Sequence, residues 1–120
     1  MATILIVDDQ KTDREILGRI VTGLGHEAIF AHDGESAVVK AHAHHPAMIL
    51  MDVVMPMMDG FNACRRLKKD PATMAIKIVL VTQKGTESDK FWGKKQGADQ
   101  HVVKPYSAEQ IQLVIKEMLG

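Results

Sequence analysis

Five short apolar runs, Thr3–Val7, Ala28–Ala31, Met48–Met51, Ile78–Val81 and His101–Val103, punctuate the chain, and a longer stretch with helical periodicity follows each of them. A four- or five-residue run that is apolar at every position suits a strand buried on both faces, as in a parallel sheet, and parallel neighbours need a crossover that is usually a helix. Strand and helix alternating five times predict an α/β domain built on a doubly wound, five-stranded parallel sheet with helices on both faces. The first, third and fourth runs are uninterrupted and belong in the middle of the sheet. The second and fifth are shorter or more polar and suit its edges. With right-handed crossovers this arrangement favours the strand order 2-1-3-4-5.

The intervening stretches carry recognisable faces. The first has Ile16, Leu17, Ile20, Val21 and Leu24 on one stripe and stops at Gly25, a residue suited to a left-handed cap. The second enters at Asp33-Gly34-Glu35 and runs through Ala37, Val38 and Ala41 to Pro46, and the third places Phe61, Cys64 and Leu67 on one side. The last is the clearest, with Ile111, Val114, Ile115, Met118 and Leu119 on the stripe and Leu113 facing away, exposed. The fourth, about residues 86–96, is mostly polar and contains Gly93, which costs ~1 kcal/mol relative to Ala inside a helix. It is expected to be the least stable helix.

Composition narrows the function. The 120 residues are 46% apolar and carry 15 basic against 15 acidic side chains, the balance of one ordinary domain spanning residues 1–120 with no attached output domain. No apolar run approaches a membrane span and no signal peptide opens the chain, so a cytoplasmic protein is expected. Zero formal charge without a long basic run argues against a nucleic-acid surface. The single Cys64 is expected to be a small buried hydrophobe, Met48 and Met51 to be core, and Met57 and Met58 to lie in an exposed loop. His42, His44 and His45 suit a helix C-terminus better than a metal site. Trp92 fits either packing or partner binding.

Ligands of such a sheet bind beyond the carboxyl ends of the strands. There the sequence places Asp8-Asp9 after the first strand, Asp52 after the third, Thr82 at the end of the fourth and Lys104-Pro105 after the fifth. Gathered carboxylates repel, at ~4 kcal/mol per pair for ~4 Å and an effective dielectric of ~20, so a cation must offset them. Oxygen donors without Cys or His at zinc spacing suit Mg²⁺, and Lys104 supplies a second positive charge. A metal, an ammonium and a hydroxyl around one carboxylate fit phosphoryl transfer, with Asp52 as the nucleophile that forms an acyl phosphate. Two carboxylates after the first strand exclude the bare amides of a dinucleotide site. Asp52-Val53-Val54 lacks the second acid of a haloacid-dehalogenase-type phosphotransferase.

These residues, from Ile4-Leu5-Ile6-Val7-Asp8-Asp9 through Met51-Asp52-Val53-Val54-Met55-Pro56-Met57-Met58-Asp59-Gly60 to Val81-Thr82 and Val103-Lys104-Pro105, resemble the receiver domains of bacterial two-component response regulators, the family of the stand-alone chemotaxis protein CheY, with its flavodoxin-like fold. The resemblance implies that Asp52 accepts phosphate from a sensor histidine kinase. It further implies that Asp8, Asp9, Asp52 and the Val54 carbonyl hold Mg²⁺, that Thr82 and Lys104 engage the phosphoryl group, and that a cis bond precedes Pro105. Such a protein is a monomeric phosphoacceptor in signalling rather than an enzyme, with only intrinsic self-phosphorylation and dephosphorylation. Its output is expected to be phosphorylation-dependent binding of another protein through the helix 4, strand 5, helix 5 face. A phosphorelay carrier or phosphate sink, and a non-phosphorylated pseudo-receiver, remain as alternatives.

Two positions depart from the family pattern. Gln83 stands where Ala or Gly is usual, and His101 replaces the Tyr or Phe that acts with Thr82 as the switch. A neutral His101 is expected to favour the active state. The run Asp89-Lys90-Phe91-Trp92-Gly93-Lys94-Lys95-Gln96-Gly97-Ala98 resembles that of PilH-type regulators of type IV pilus twitching motility.

Overall fold

A computed structural model describes residues 1–120. Strands β1 (Thr3–Val7), β2 (Glu27–Ala31), β3 (Met48–Met51), β4 (Lys77–Thr82) and β5 (Gln100–Val103) alternate with helices α1 (Lys11–Gly23), α2 (Gly34–His44), α3 (Gly60–Lys69), α4 (Glu87–Lys95) and α5 (Ala108–Leu119). The strands form one parallel sheet in the order β2-β1-β3-β4-β5, as the apolar runs require. All four residues of β3 and five of the six in β4 are buried, whereas the edge strands β2 and β5 are only partly so.

The two-residue period of the strands divides the core into two layers. Leu5, Val7, Ile49, Met51, Ile78 and Leu80 point to one face, where Ala37, Val38 and Ala41 of α2 and Ala63, Cys64 and Leu67 of α3 cover them. Ile4, Ile6, Met48, Leu50, Val79, Val81 and Val102 point to the other, under Leu17 and Val21 of α1 and Ile111 and Ile115 of α5. Leu113 is exposed, as its place on α5 predicts. Met48 and Met51 are core and Met57 is open to solvent, but Met58 is half-buried and packs on the first layer, where its backbone meets Gly34 at the start of α2. Ile16 is also a correction: it sits at the rim of its stripe, 40% exposed, facing the strand ends rather than the core.

Helix starts collect at the carboxyl edge of the sheet, and side-chain caps fix four of them there. Asp33 accepts from the Ser36 amide and Asp59 from the Asn62 amide. Thr86 with Asp89, and Ser107 with Gln110, form reciprocal capping boxes that satisfy two orphan donors each. Gly25 adopts φ +87° just beyond α1, as the stop signal predicts. His45 terminates α2 in the left-handed region, and His42 Nε2 lies 2.6 Å from Asp70 Oδ2.

Gly93 changes meaning in three dimensions. It is the one wholly covered residue of α4, and a Cβ there would lie 3.0 Å from Leu80 Cδ1 and 3.2 Å from His101 Nδ1. A residue that weakens the isolated helix is thus what lets it lie close on the sheet.

Candidate functional site

Residues that end β1, β3 and β5 meet in a cleft of about 520 Å³ at the carboxyl edge of the sheet. Asp8 is 1% exposed, and its carboxylate accepts from the Gln10 amide on one oxygen and from Lys104 Nζ, at 2.8 Å, on the other. Asp52 is used in the same divided way. Its Oδ1 accepts from the amides of Val53 (2.6 Å) and Val54 (3.2 Å), and its Oδ2 takes Lys104 Nζ at 2.9 Å. The two amides belong to the turn leaving β3, so the loop itself aims the Asp52 carboxylate into the cleft. The peptide before Pro105 is cis, as the resemblance implies.

Asp13 was not singled out by sequence. It stands in the first turn of α1 and its Oδ2 lies 3.3 Å from Lys104 Nζ, so one ammonium touches three carboxylates. An acidic residue in a first helical turn reads as a partner of the helix dipole. The only other signal was its phase, one turn after the acidic pair. The neighbouring Arg14 bonds the Asp8 carbonyl at 2.7 Å and holds α1 against the end of β1.

The electrostatics follow from this crowding. Burial pushes the Asp8 carboxyl above the usual range against the opposing pull of Lys104. Burial also works against the Lys104 ammonium, but its hydrogen bonds to Asp8 and Asp52, with their charges, more than offset that and hold it above an ordinary lysine. Asp9 lines the cleft with Asp13, Asp52, Val54 and Lys104 and makes no hydrogen bond within the chain. Four carboxylates against one ammonium leave an excess of negative charge lined by oxygen donors only, which is the chemistry a hard divalent cation satisfies. The point that Asp8, Asp13 and Asp52 share is taken by Lys104 Nζ, at 2.8, 3.3 and 2.9 Å.

The hydroxyl residue and the switch candidate sit one layer away. Thr82 is fully buried, and its Oγ1 accepts from the Lys84 amide at 3.2 Å instead of facing the cleft, whose wall there is Gln83. His101 lies on the same face of the sheet, in register with Leu80 beside Thr82. Its Nε2 donates to the Lys84 carbonyl at 2.7 Å, and its Nδ1 is buried under Gly93 without a partner. Thr82 and His101 therefore hold the two sides of a single peptide unit's residue, Lys84, in the loop that enters α4. Cys64 is wholly buried and burial pushes its thiol up to about 12, so it is inert packing as expected.

Comparison with known proteins agrees with this geometry. Residues 4–116 match the family model described as the response regulator receiver domain. The chain is 42% identical over 120 residues to protein PilH of Pseudomonas aeruginosa, covering 100% of this chain and 99% of PilH. Chemotaxis protein CheY4 of Vibrio cholerae superposes with a TM-score of 0.92 at 29% identity, with 98% of each chain covered. The receiver domain of the P. aeruginosa sensor histidine kinase PA1611, 24% identical with a TM-score of 0.91 over 99% of this chain and 98% of that one, shares the fold and holds a magnesium ion in its own active-site cleft.

Proposed function

Because the chain belongs to the response regulator receiver family, we propose that it accepts a phosphoryl group on Asp52 from a sensor histidine kinase and signals by binding another protein. Receiver domains are signalling proteins rather than enzymes of the usual kind, and the only turnover expected here is self-phosphorylation and self-dephosphorylation. The observation that carries the reading is Asp52 itself: one oxygen is fixed by two loop amides and the other is held on Lys104. A carboxylate held this way is oriented for attack on phosphorus, with an ammonium beside it for the charge that develops on the transferred group.

The remaining roles follow the donor set. Asp8, Asp9, Asp52 and the Val54 carbonyl would hold Mg²⁺, which would neutralise charge on the phosphoryl oxygens. Lys104 shields the same oxygens. Thr82 turns its hydroxyl from the Lys84 amide to the phosphoryl group, which releases one of the two bonds fixing that loop. His101 holds the other bond and completes the switch. Its Nε2 holds the Lys84 carbonyl while its Nδ1 is buried without a partner. The output surface is the α4, β5, α5 face, where Lys90, His101, Val103, Gln110 and Leu113 border one concavity. The 42% identity to PilH over 120 residues supports a PilH-like regulator with a part in type IV pilus twitching motility. A phosphate sink would share all this chemistry and differ only in lacking an output partner.

Intact-mass measurement after incubation with a histidine kinase or acetyl phosphate tests the assignment. One phosphoryl adduct should form, and it should vanish in Asp52→Asn and when divalent metal is chelated. An adduct that survives either change overturns it. Good labelling by a kinase with poor labelling by acetyl phosphate would point to Gln83, in the cleft wall, as the residue that limits access of small phosphodonors.

A further inference from the structure

The chain holds only five aromatic residues, three Phe, one Trp and one Tyr, and three of them meet at one groove away from the phosphoacceptor cleft. Phe61 from the first turn of α3, with Phe91 and Trp92 of α4, lines an open concavity of about 680 Å³ whose remaining walls are Glu87, Ser88 and Asp89. The groove lies on the α3 flank of α4, whereas the surface assigned above to output lies on the flank that carries Lys90. Phe91 is 65% and Trp92 49% exposed, so about half or more of each residue is open to solvent. Single exposed apolar side chains are common. Adjacent aromatic rings that share a wall with two carboxylates are a different case.

The ring faces carry negative quadrupole density and attract cations. One cation already uses them: Lys95 Nζ stands 5.9 Å from the centroid of Phe91. The carboxylates add net charge of the same sign. Asp89 is committed to the capping box, where hydrogen bonds from Thr86 hold it below the usual carboxylate range and so ionised. Glu87, one helical turn before Phe91, forms no ion pair within the chain. We propose that the α3–α4 groove is a docking surface for a segment of a partner protein that presents an arginine side chain, its guanidinium stacked on Phe91 and Trp92 and paired with Glu87.

Arginine fits better than the other cations. The groove is open along its length and does not enclose a compact ammonium, while a flat, weakly hydrated guanidinium stacks on a ring and pairs with a carboxylate at once. Lys95, whose ammonium already stands over Phe91 and would give way to the guanidinium, and Lys94 beside it set the polarity of the segment. They disfavour a uniformly basic stretch and favour a neutral or acidic residue beyond the arginine. The two flanks of α4 therefore select different chemistry, and the inference does not depend on phosphorylation of Asp52.

Trp92 is the only tryptophan and reports directly. Titration of the full-length, unphosphorylated protein with N-acetyl-arginine amide should give a saturable change in its fluorescence, and N-acetyl-glutamine amide should give none. Glu87→Gln and Phe91→Leu should each weaken the arginine response about fivefold. Leu113→Glu, on the other flank, should leave it unchanged. Both groove residues are exposed, so the variants should melt with the wild type; if Phe91→Leu melts lower, Glu87→Gln decides alone. A linear, non-saturating signal, an equal response to the glutamine amide, or full binding by Glu87→Gln would overturn the proposal.

Discussion

Helices α4 and α5 flank the same edge strand and begin with the same device, a hydroxyl cap answered by a side chain three residues on, yet they are held to the sheet in opposite ways. α5 drives Ile111 and Ile115 fully into the second core layer, with Val114, Met118 and Leu119 packed beside them. α4 places no side chain in either layer; it rests on the sheet through Gly93, and its two large apolar residues look outward. Burial of an Ile side chain is worth about 1.5–3 kcal/mol, and a glycine contributes almost none of that. Local signals thus decide where a helix starts, and burial decides how firmly it stays. In a protein whose proposed output involves α4, the loosely seated helix is the one free to respond.

The largest effect expected from this contrast is on global stability. Ile115→Ala should cost about 3 kcal/mol by loss of burial and the cavity left behind, whereas Phe91→Ser on α4 should cost under about 0.5 kcal/mol. Denaturant unfolding of both variants measures the difference, and equal losses would show that α4 is anchored after all.

A smaller free energy should appear in local opening. Cys64 is fully buried, and its Sγ lies 3.6 Å from the carbonyl of Gln96, the residue that closes α4. With its thiol pushed up to about 12 by burial, it should resist labelling at neutral pH while the helix is seated. Thiol labelling in native buffer should proceed through lifting of α4, with an opening free energy clearly below that of global unfolding. Labelling that tracks global unfolding would mean that α4 is as fixed as α5.

The smallest change expected is in Gly93→Ala. Removal of glycine favours the helix by about 1 kcal/mol, but the new Cβ would press on Leu80 and His101 at 3.0 and 3.2 Å. Global stability should therefore move by less than about 1 kcal/mol, while the His101 ring signals shift in NMR spectra because Nδ1 is the atom displaced. Unchanged His101 signals would show that α4 simply moves away as a body.

Legibility in the sequence follows the same division. The central strands were readable because Ile4–Val7, Met48–Met51 and Ile78–Val81 are apolar and buried at every position. The edges of β2 and β5 begin one residue earlier than the apolar runs, at Glu27 and Gln100, since backbone pairing with Thr3 and Val79 holds exposed polar residues that hydrophobicity does not mark. At the site, Asp8, Asp52 and Lys104 were found because each ends a strand. Asp13 and the rim residue Ile16 were missed or misassigned because helix phase, not strand position, brings them to the cleft. Gly93 read as a flaw because its value lies wholly in a contact between elements distant in sequence.

The packing of Gly60 has a mechanical meaning for Asp52. A Cβ at Gly60 would lie 2.2 Å from the Asp52 carbonyl, and the Gly60 amide already bonds the Val53 carbonyl at 2.9 Å. The loop from 52 to 60 is consequently a closed hoop riveted to the head of α3, with no slack to absorb a push from the Asp52 side chain. Across the cleft, the strap from Thr82 to Lys84 hangs on two hydrogen bonds, one to Thr82 Oγ1 and one from His101. With a stiff abutment on one side and a compliant strap on the other, a displacement at Asp52 would meet less resistance toward α4 and β5 than toward α3.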